Sequence, residues 1–452
     1  MIGVSLSRWS MAYFAAALVS LVLGEGLMAS GYGFPAASLR APESLVLVHL
    51  AAIGWLSLLL CGALFQFVPV LVARSLYSNT LPFPTLLVLL VGLGTLLAGF
   101  LQLAGTVDFT PSLLPYGAIL LAVGFALILY NLGRTLWAAR PLPLQARFVA
   151  IALLCLAATV TFGALFSFVL GGATQSDTLL AIASYGLPLH ISAGLGGWLT
   201  FAAIGVSYRL LAMFMLAPEL NGPRPQTVFW LGTGALAIAI LGGLALLLAN
   251  AAIFPALLAG GALGAVALGL YLADAVHLYR ARKRRVIELN SRMAGFALAS
   301  LAASVVLTIV LLALGSLTQQ VGALVFLVAF GWLSGLGLAK LYKIVAFLTW
   351  LECYGPVLGK AATPRVQDLV AEARALKWFA LYYLAVWSAT VALLTSQGIA
   401  FRIATAAMAV ATLAIAAELV RTRRLSEVAL PSRLSEGVHL PHLLVCMPSP
   451  NR

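Results

Sequence analysis

The sequence predicts an all-α polytopic membrane protein of about twelve transmembrane helices. Three observations predict it: an apolar composition, apolar runs of spanning length, and cations confined to alternate loops. Hydrophobic residues make up 63% of the 452 positions and charged residues 9%, against roughly 25% charged in a soluble domain. Mean hydropathy is +1.07. Such a chain needs lipid as its solvent. At about 20 apolar residues per span, it holds roughly twelve helices and leaves no room for an aqueous domain.

Taken in order, the apolar stretches bounded by charge, proline and glycine fall at about 10 to 31, 44 to 72, 83 to 105, 113 to 138, 147 to 171 and 181 to 213. The second half gives about 226 to 250, 254 to 280, 292 to 316, 321 to 351, 375 to 396 and 400 to 420. Arg8 before the first run is a feature of signal peptides too, but the run continues through Met28 without a small-x-small cleavage site, so it reads as span 1. The stretches Ala256 to Gly269 and Gly322 to Ala339 are rich in small residues, which predicts close helix packing.

Arg74, the group Arg134, Arg140 and Arg147, the pair Arg209 and Arg224, the run Arg280 to Arg285, and Lys360 to Lys377 all fall on one side of this arrangement. The alternate loops carry almost none. The positive-inside rule then predicts both termini in the cytoplasm and a multi-pass protein of the bacterial inner membrane. The net charge of +13 is thereby a topology signal, and no nucleic-acid partner is expected. Residues 1–420 form one twelve-helix transmembrane domain in this reading, and 421–452 a loose cytoplasmic tail without helical periodicity. Cys61, Cys155, Cys353 and Cys446 are scattered, with no C-x-x-C spacing.

An ionisable side chain at membrane depth is costly, so it is a functional candidate by default. Glu25 late in span 1, His49 early in span 2 and His190 early in span 6 are such residues, with Asp274 and His277 late in span 8 and Lys340, Lys343 and Glu352 late in span 10. His49 and His190 are expected at similar depth toward the outer side, facing a common interior space. Two neutral imidazoles so placed can clamp haem iron or copper. The alternative is that each donates a hydrogen bond to a neighbouring helix and only ties the bundle together. His277 reads as interfacial because Arg280 follows it, and the cation-rich and aromatic-rich end of span 10 as a surface for lipid, a propionate or a partner. In the tail, His439 and His442 with Cys446 and Met447 form a candidate copper or zinc site.

The stretch from His49 through Gly54-Trp55 to Gly62, Gln66 and Pro69 resembles the second helix of subunit I of the haem-copper oxidase superfamily. Leu189-His190, Gly194, Gly197-Trp198, Tyr208 and Met213-Phe214 are similar to its sixth helix. Twelve spans with both termini inside also match, so in topology the resemblance covers the whole chain; in motif it covers spans 2 and 6 and, more loosely, 10. It implies an oxidase-like bundle, haem b and copper as cofactors, His49 as haem ligand, His190 as copper or second haem ligand, and Glu25, Trp55, Gln66, Tyr208 and Lys343 in supporting positions. In the oxidases and nitric oxide reductases, spans 7 and 10 supply further histidines. Here neither contains one. No binuclear haem-copper centre can be built, and an active terminal oxidase is not expected. A reduced relative of this kind resembles the NnrS family of haem- and copper-containing membrane proteins linked to nitric oxide stress.

The expected function is therefore haem or copper binding in the lipid bilayer, in nitric oxide or respiratory stress or in oxidase assembly. Two alternatives stand beside it: a secondary transporter of a small solute, and a non-catalytic subunit packed against other respiratory-complex subunits. Against transport, the loop between spans 6 and 7 is short and the two halves show no evident repeat.

Overall fold

A computed structural model describes residues 7–108, 110–360, 363–433, 438 and 440–446. Among them there is no strand, and twelve helices are long and apolar enough to cross a membrane. These are span 1 (Ser10–Ser30), span 2 (Pro42–Val72), span 3 (Pro82–Leu103), span 4 (Leu114–Ala138), span 5 (Leu144–Leu170), span 6 (Leu187–Met215), span 7 (Pro223–Leu248), span 8 (Phe254–Arg280), span 9 (Leu289–Ala313), span 10 (Leu317–Val357), span 11 (Glu372–Leu394) and span 12 (Gly398–Arg423). The chain is a multi-pass membrane protein by this measure. Most boundaries lie within a few residues of those expected. The larger differences are at span 10, which runs beyond the expected 321 to 351 at both ends, and at span 6, where Gly186 separates a short helix, Asp177–Tyr185, from the span itself. Prolines open many of these helices, where their missing N–H has no partner to lose. Gly31, at φ 87°, closes span 1 in the left-handed conformation, its N–H returning to the carbonyls of Leu27 and Met28.

The helices form two compact units: unit 1, residues 1–66 and 287–452, and unit 2, residues 67–286. In unit 1, span 1 packs on spans 2 and 12, span 9 on span 10, and span 11 on span 12. Missing side chains create the room: Gly62 lies against Tyr13 and Phe14, Gly331 against Ser300, Gly335 against Tyr383 and Gly337 against Leu59. In unit 2, spans 3 and 4 meet backbone to backbone. A Cβ on Gly117 would sit 2.7 Å from the Leu96 nitrogen, and one on Gly92 2.9 Å from that of Leu121. Span 8 approaches span 7 the same way, Gly260 facing the Ala235 carbonyl. With no hydrophobic drive between helices in lipid, such close approach supplies the attraction. We expect Gly117→Val to separate spans 3 and 4 and cost about 1–3 kcal/mol; detergent-titrated unfolding measures it, and an unchanged midpoint would contradict the packing.

Four helices are widened locally, their hydrogen bonds running to the fifth residue back instead of the fourth. The π-helical stretches are Leu50–Ser57 in span 2, Ser192–Phe201 in span 6, Ile238–Gly242 in span 7 and Leu327–Ser334 in span 10. Three of them share a string: Gly54-Trp55-Leu56-Ser57, Gly197-Trp198-Leu199-Thr200 and Gly331-Trp332-Leu333-Ser334. The likeness continues beyond the tryptophan, with Gly62, Gly205 and Ala339 seven residues on, then Phe65-Gln66, Tyr208-Arg209 and Tyr342-Lys343 at ten and eleven. These segments recur four spans apart, so the chain repeats in thirds, which a comparison of its halves does not detect. All three tryptophans are buried. Ser57 and Ser334 each donate to the carbonyl five residues back, at 2.8 Å to Ala52 and 2.7 Å to Ala329, which stabilises the wide turn.

Beyond span 12 the chain is tied down more than its composition suggests. Arg421 to Arg423 complete the helix instead of starting a tail. The Arg423 guanidinium, 4% exposed, donates to Glu352 at 2.8 Å, to Thr349 at 3.1 Å and to the carbonyl of His442. Cys446 is buried, its N–H donating to the Arg8 carbonyl at 2.9 Å, and burial pushes its thiol up to about 12. Glu427 accepts from Arg374 at 2.7 Å and from Arg421 at 3.2 Å. The Arg374 hydrogen bond is the main reason its carboxyl titrates below the ordinary 4.5. A depressed value stabilises the fold fully above the unfolded pKa, and the contribution is lost as pH falls through the folded one. Glu427→Gln should therefore lower stability at neutral pH and flatten its acid limb below 4.5; an acid limb of wild-type steepness would contradict this.

Candidate functional site

In unit 1, His49 ends the regular first stretch of span 2, Pro42–His49, one residue before the π-helical turns. Its Nδ1 lies 2.8 Å from the Leu45 carbonyl, one turn earlier. A carbonyl only accepts, so Nδ1 carries the hydrogen and the lone pair is on Nε2. That hydrogen bond stays inside one helix. It therefore ties no helices together, but it does fix the tautomer and the orientation of the ring, as carbonyl partners do for metal-ligating imidazoles.

The other expected residues of unit 1 occupy separate levels. The Trp55 indole donates to Ser334 Oγ at 2.7 Å, joining the π-helical turns of spans 2 and 10. Glu25 is fully buried; its Oε1 accepts from Thr412 at 3.0 Å. The Gln66 amide donates to the Ser7 carbonyl at 2.9 Å and to Ser10 Oγ at 3.1 Å, so it closes the start of span 1 onto span 2. Lys343 pairs with Glu288 at 2.8 Å, next to the start of span 9, whose Leu289 N–H donates to Glu372.

In unit 2, His190 stands in the first turn of span 6, two residues before its π-helical stretch. Nδ1 lies 3.1 Å from the Thr159 carbonyl of span 5, which again puts the lone pair on Nε2. Gly163 leaves room for the Cε1 edge, and the Phe166 ring meets the imidazole edge-on at 5.5 Å. This bond does cross between helices, so for His190 tying the bundle and orienting a ligand are compatible. Relative to the shared tryptophan, His49 lies six residues ahead and His190 eight, a difference of about 3 Å of rise along the two helices. The two imidazoles thus belong to different units, each with its own surroundings. Tyr208 donates to Asp274 at 2.8 Å, and Asp274 also meets Arg224 at 3.3 Å; this is a cluster near the basic end of spans 6 and 8. His277 is exposed there.

The donor set limits what either unit can hold. Among the described residues, no three His, Cys, Asp or Glu side chains converge as a metal cage. A single oriented imidazole would suffice to hold a haem iron, whereas copper would have one imidazole and little else. Of the tail residues, His442 engages Arg423 through its carbonyl, while His439 and Met447 lie outside the described residues.

The histidines were legible in the sequence, but the ion pairs were not: Glu352–Arg423, Glu418–Arg374 and Asp274–Arg224 join residues 44 to 71 positions apart, and no local pattern announces them. The threefold Gly-Trp-Leu-Ser/Thr string was legible, and it marks three of the four π-helical stretches. In comparison with known proteins, no family model matches the chain and no curated protein matches it significantly.

Proposed function

We propose that this chain is a haem-binding protein of the bacterial inner membrane, related to subunit I of the haem-copper oxidases, in which His49 would hold the iron of a b-type haem. His190, in the other unit, is a second oriented imidazole, with no converging set of further donors for copper among the described residues. One observation carries the reading. The oxidase resemblance places ligand histidines on spans 2, 6, 7 and 10, and among the described residues the π-helical stretches fall on those four spans and no others. π-Helical turns are rare and are frequent at functional sites. The carbonyls of Leu45 and Thr159 support it further, since each fixes the tautomer and orientation of its imidazole.

With spans 7 and 10 lacking histidine, the protein is not a terminal oxidase. A haem, when bound, supplies a site for a small diatomic ligand. The chain's own contribution would be to hold the iron through the neutral, pre-oriented His49 imidazole. Nitric oxide handling during respiratory stress fits such a one-ligand centre. A repeat in thirds does not fit the twofold repeats of the common transporter folds. The test is a pyridine haemochrome assay with copper analysis on protein purified from haem-replete cells. Stoichiometric b-type haem supports the proposal; a colourless, metal-free protein overturns it.

A further inference from the structure

The buried carboxylates near the basic ends of the spans have cationic partners: Asp274 has Arg224, Glu288 has Lys343, Glu352 has Arg423 and Glu418 has Arg374. Glu25 does not follow this rule. It is 0% exposed and lies five residues from the end of span 1, and its Oε1 accepts only the Thr412 hydroxyl of span 12. Its Oε2 is buried with no hydrogen-bond partner. From span 11, the buried Tyr382 interacts electrostatically with the carboxyl, and its hydroxyl donates to the Phe330 carbonyl at 3.0 Å. Span 2 presents the apolar Leu50 against the adjoining Gly24.

A carboxylate so enclosed, with one oxygen lacking any donor, is far too costly to persist uncompensated. The compensating positive charge must come from outside the chain. A hard divalent ion asks for six or more oxygens, and the groups around Glu25 are one hydroxyl at bonding distance and one phenol. A proton needs a single oxygen. Tyr382 also meets Ser334, which receives the Trp55 indole, so a line of hydroxyls leads from Glu25 to the π-helical turns of spans 2 and 10.

We propose that Glu25 is a proton-exchange site inside unit 1, taking up and releasing a proton on Oε2 with Thr412 and Tyr382 as its polar neighbours. Transfer is simple acid–base: the O–H bond formed on Oε2 takes its proton from water or a hydroxyl, and release returns it, with no change of oxidation state. Infrared difference spectroscopy on the reconstituted full-length protein tests this between pH steps, following the carbonyl stretch that a protonated carboxyl has and a carboxylate lacks. The expected result is a reversible, pH-dependent band that shifts in D2O and vanishes in Glu25→Gln. Thr412→Val, which keeps the carboxyl, should retain the band with a displaced midpoint; it keeps the test decisive if Glu25→Gln folds poorly. A band constant across the pH range marks a purely structural carboxyl and overturns the proposal. So does a carboxylate signal displaced by sodium at fixed pH, which assigns the site to a metal cation, or the absence of any band sensitive to either variant.

Discussion

Purified His49→Ala protein should be colourless. The imidazole is held in a single tautomer by the Leu45 carbonyl, one residue before the π-helical turns of span 2. Haem retention should fall by more than the roughly 10–100-fold that loss of a ligand's supporting hydrogen bond alone costs. Because alanine leaves a ring-sized void, added imidazole should restore part of the Soret absorbance, which a merely structural role for His49 would not allow. His190→Ala, in the other unit, should leave that absorbance largely intact. Full haem occupancy in His49→Ala would assign the iron elsewhere.

Arg423→Met should be the most destabilising single change outside the spans' apolar packing. It leaves the Glu352 carboxylate, itself 7% exposed, buried without its cation, and breaking one partner out of a buried pair costs about 3–5 kcal/mol. The same guanidinium holds the carbonyls of His442 and Val445, so the segment carrying Cys446 should become accessible to protease and to maleimide at once. Glu352→Gln in the Arg423→Met background should recover most of the loss, since it removes the stranded charge. Equal stability of the single and double variants would show that the pair is not what anchors the chain there.

The architecture was legible because membrane spans are written in composition: twenty apolar residues in a row have one physical outcome, and all twelve were placed to within a few residues. Polar pairing was not, because Glu418 finds Arg374 and Asp274 finds Tyr208 and Arg224 only once separate helices have packed side by side. The two histidines could be singled out by cost alone, yet their tautomers depend on carbonyls that only the folded helices bring near. The π-helical turns lie between these cases. Widening a helix changes no residue's hydropathy, so periodicity is blind to it, but the string beginning at Gly54, Gly197 and Gly331 recurs every fourth span and would have located three of the four. Glu25 was flagged from depth; its uncompensated oxygen emerged only with the positions of Thr412 and Tyr382.

On the proposed function, His49 is the one imidazole that would hold the haem iron. Electron paramagnetic resonance of the oxidised, purified protein tests this most directly. The account predicts an axial high-spin ferric signal that converts to low spin on adding imidazole or cyanide and is lost in His49→Ala. A native low-spin signal from two protein nitrogens, or no ferric signal at all, would contradict it.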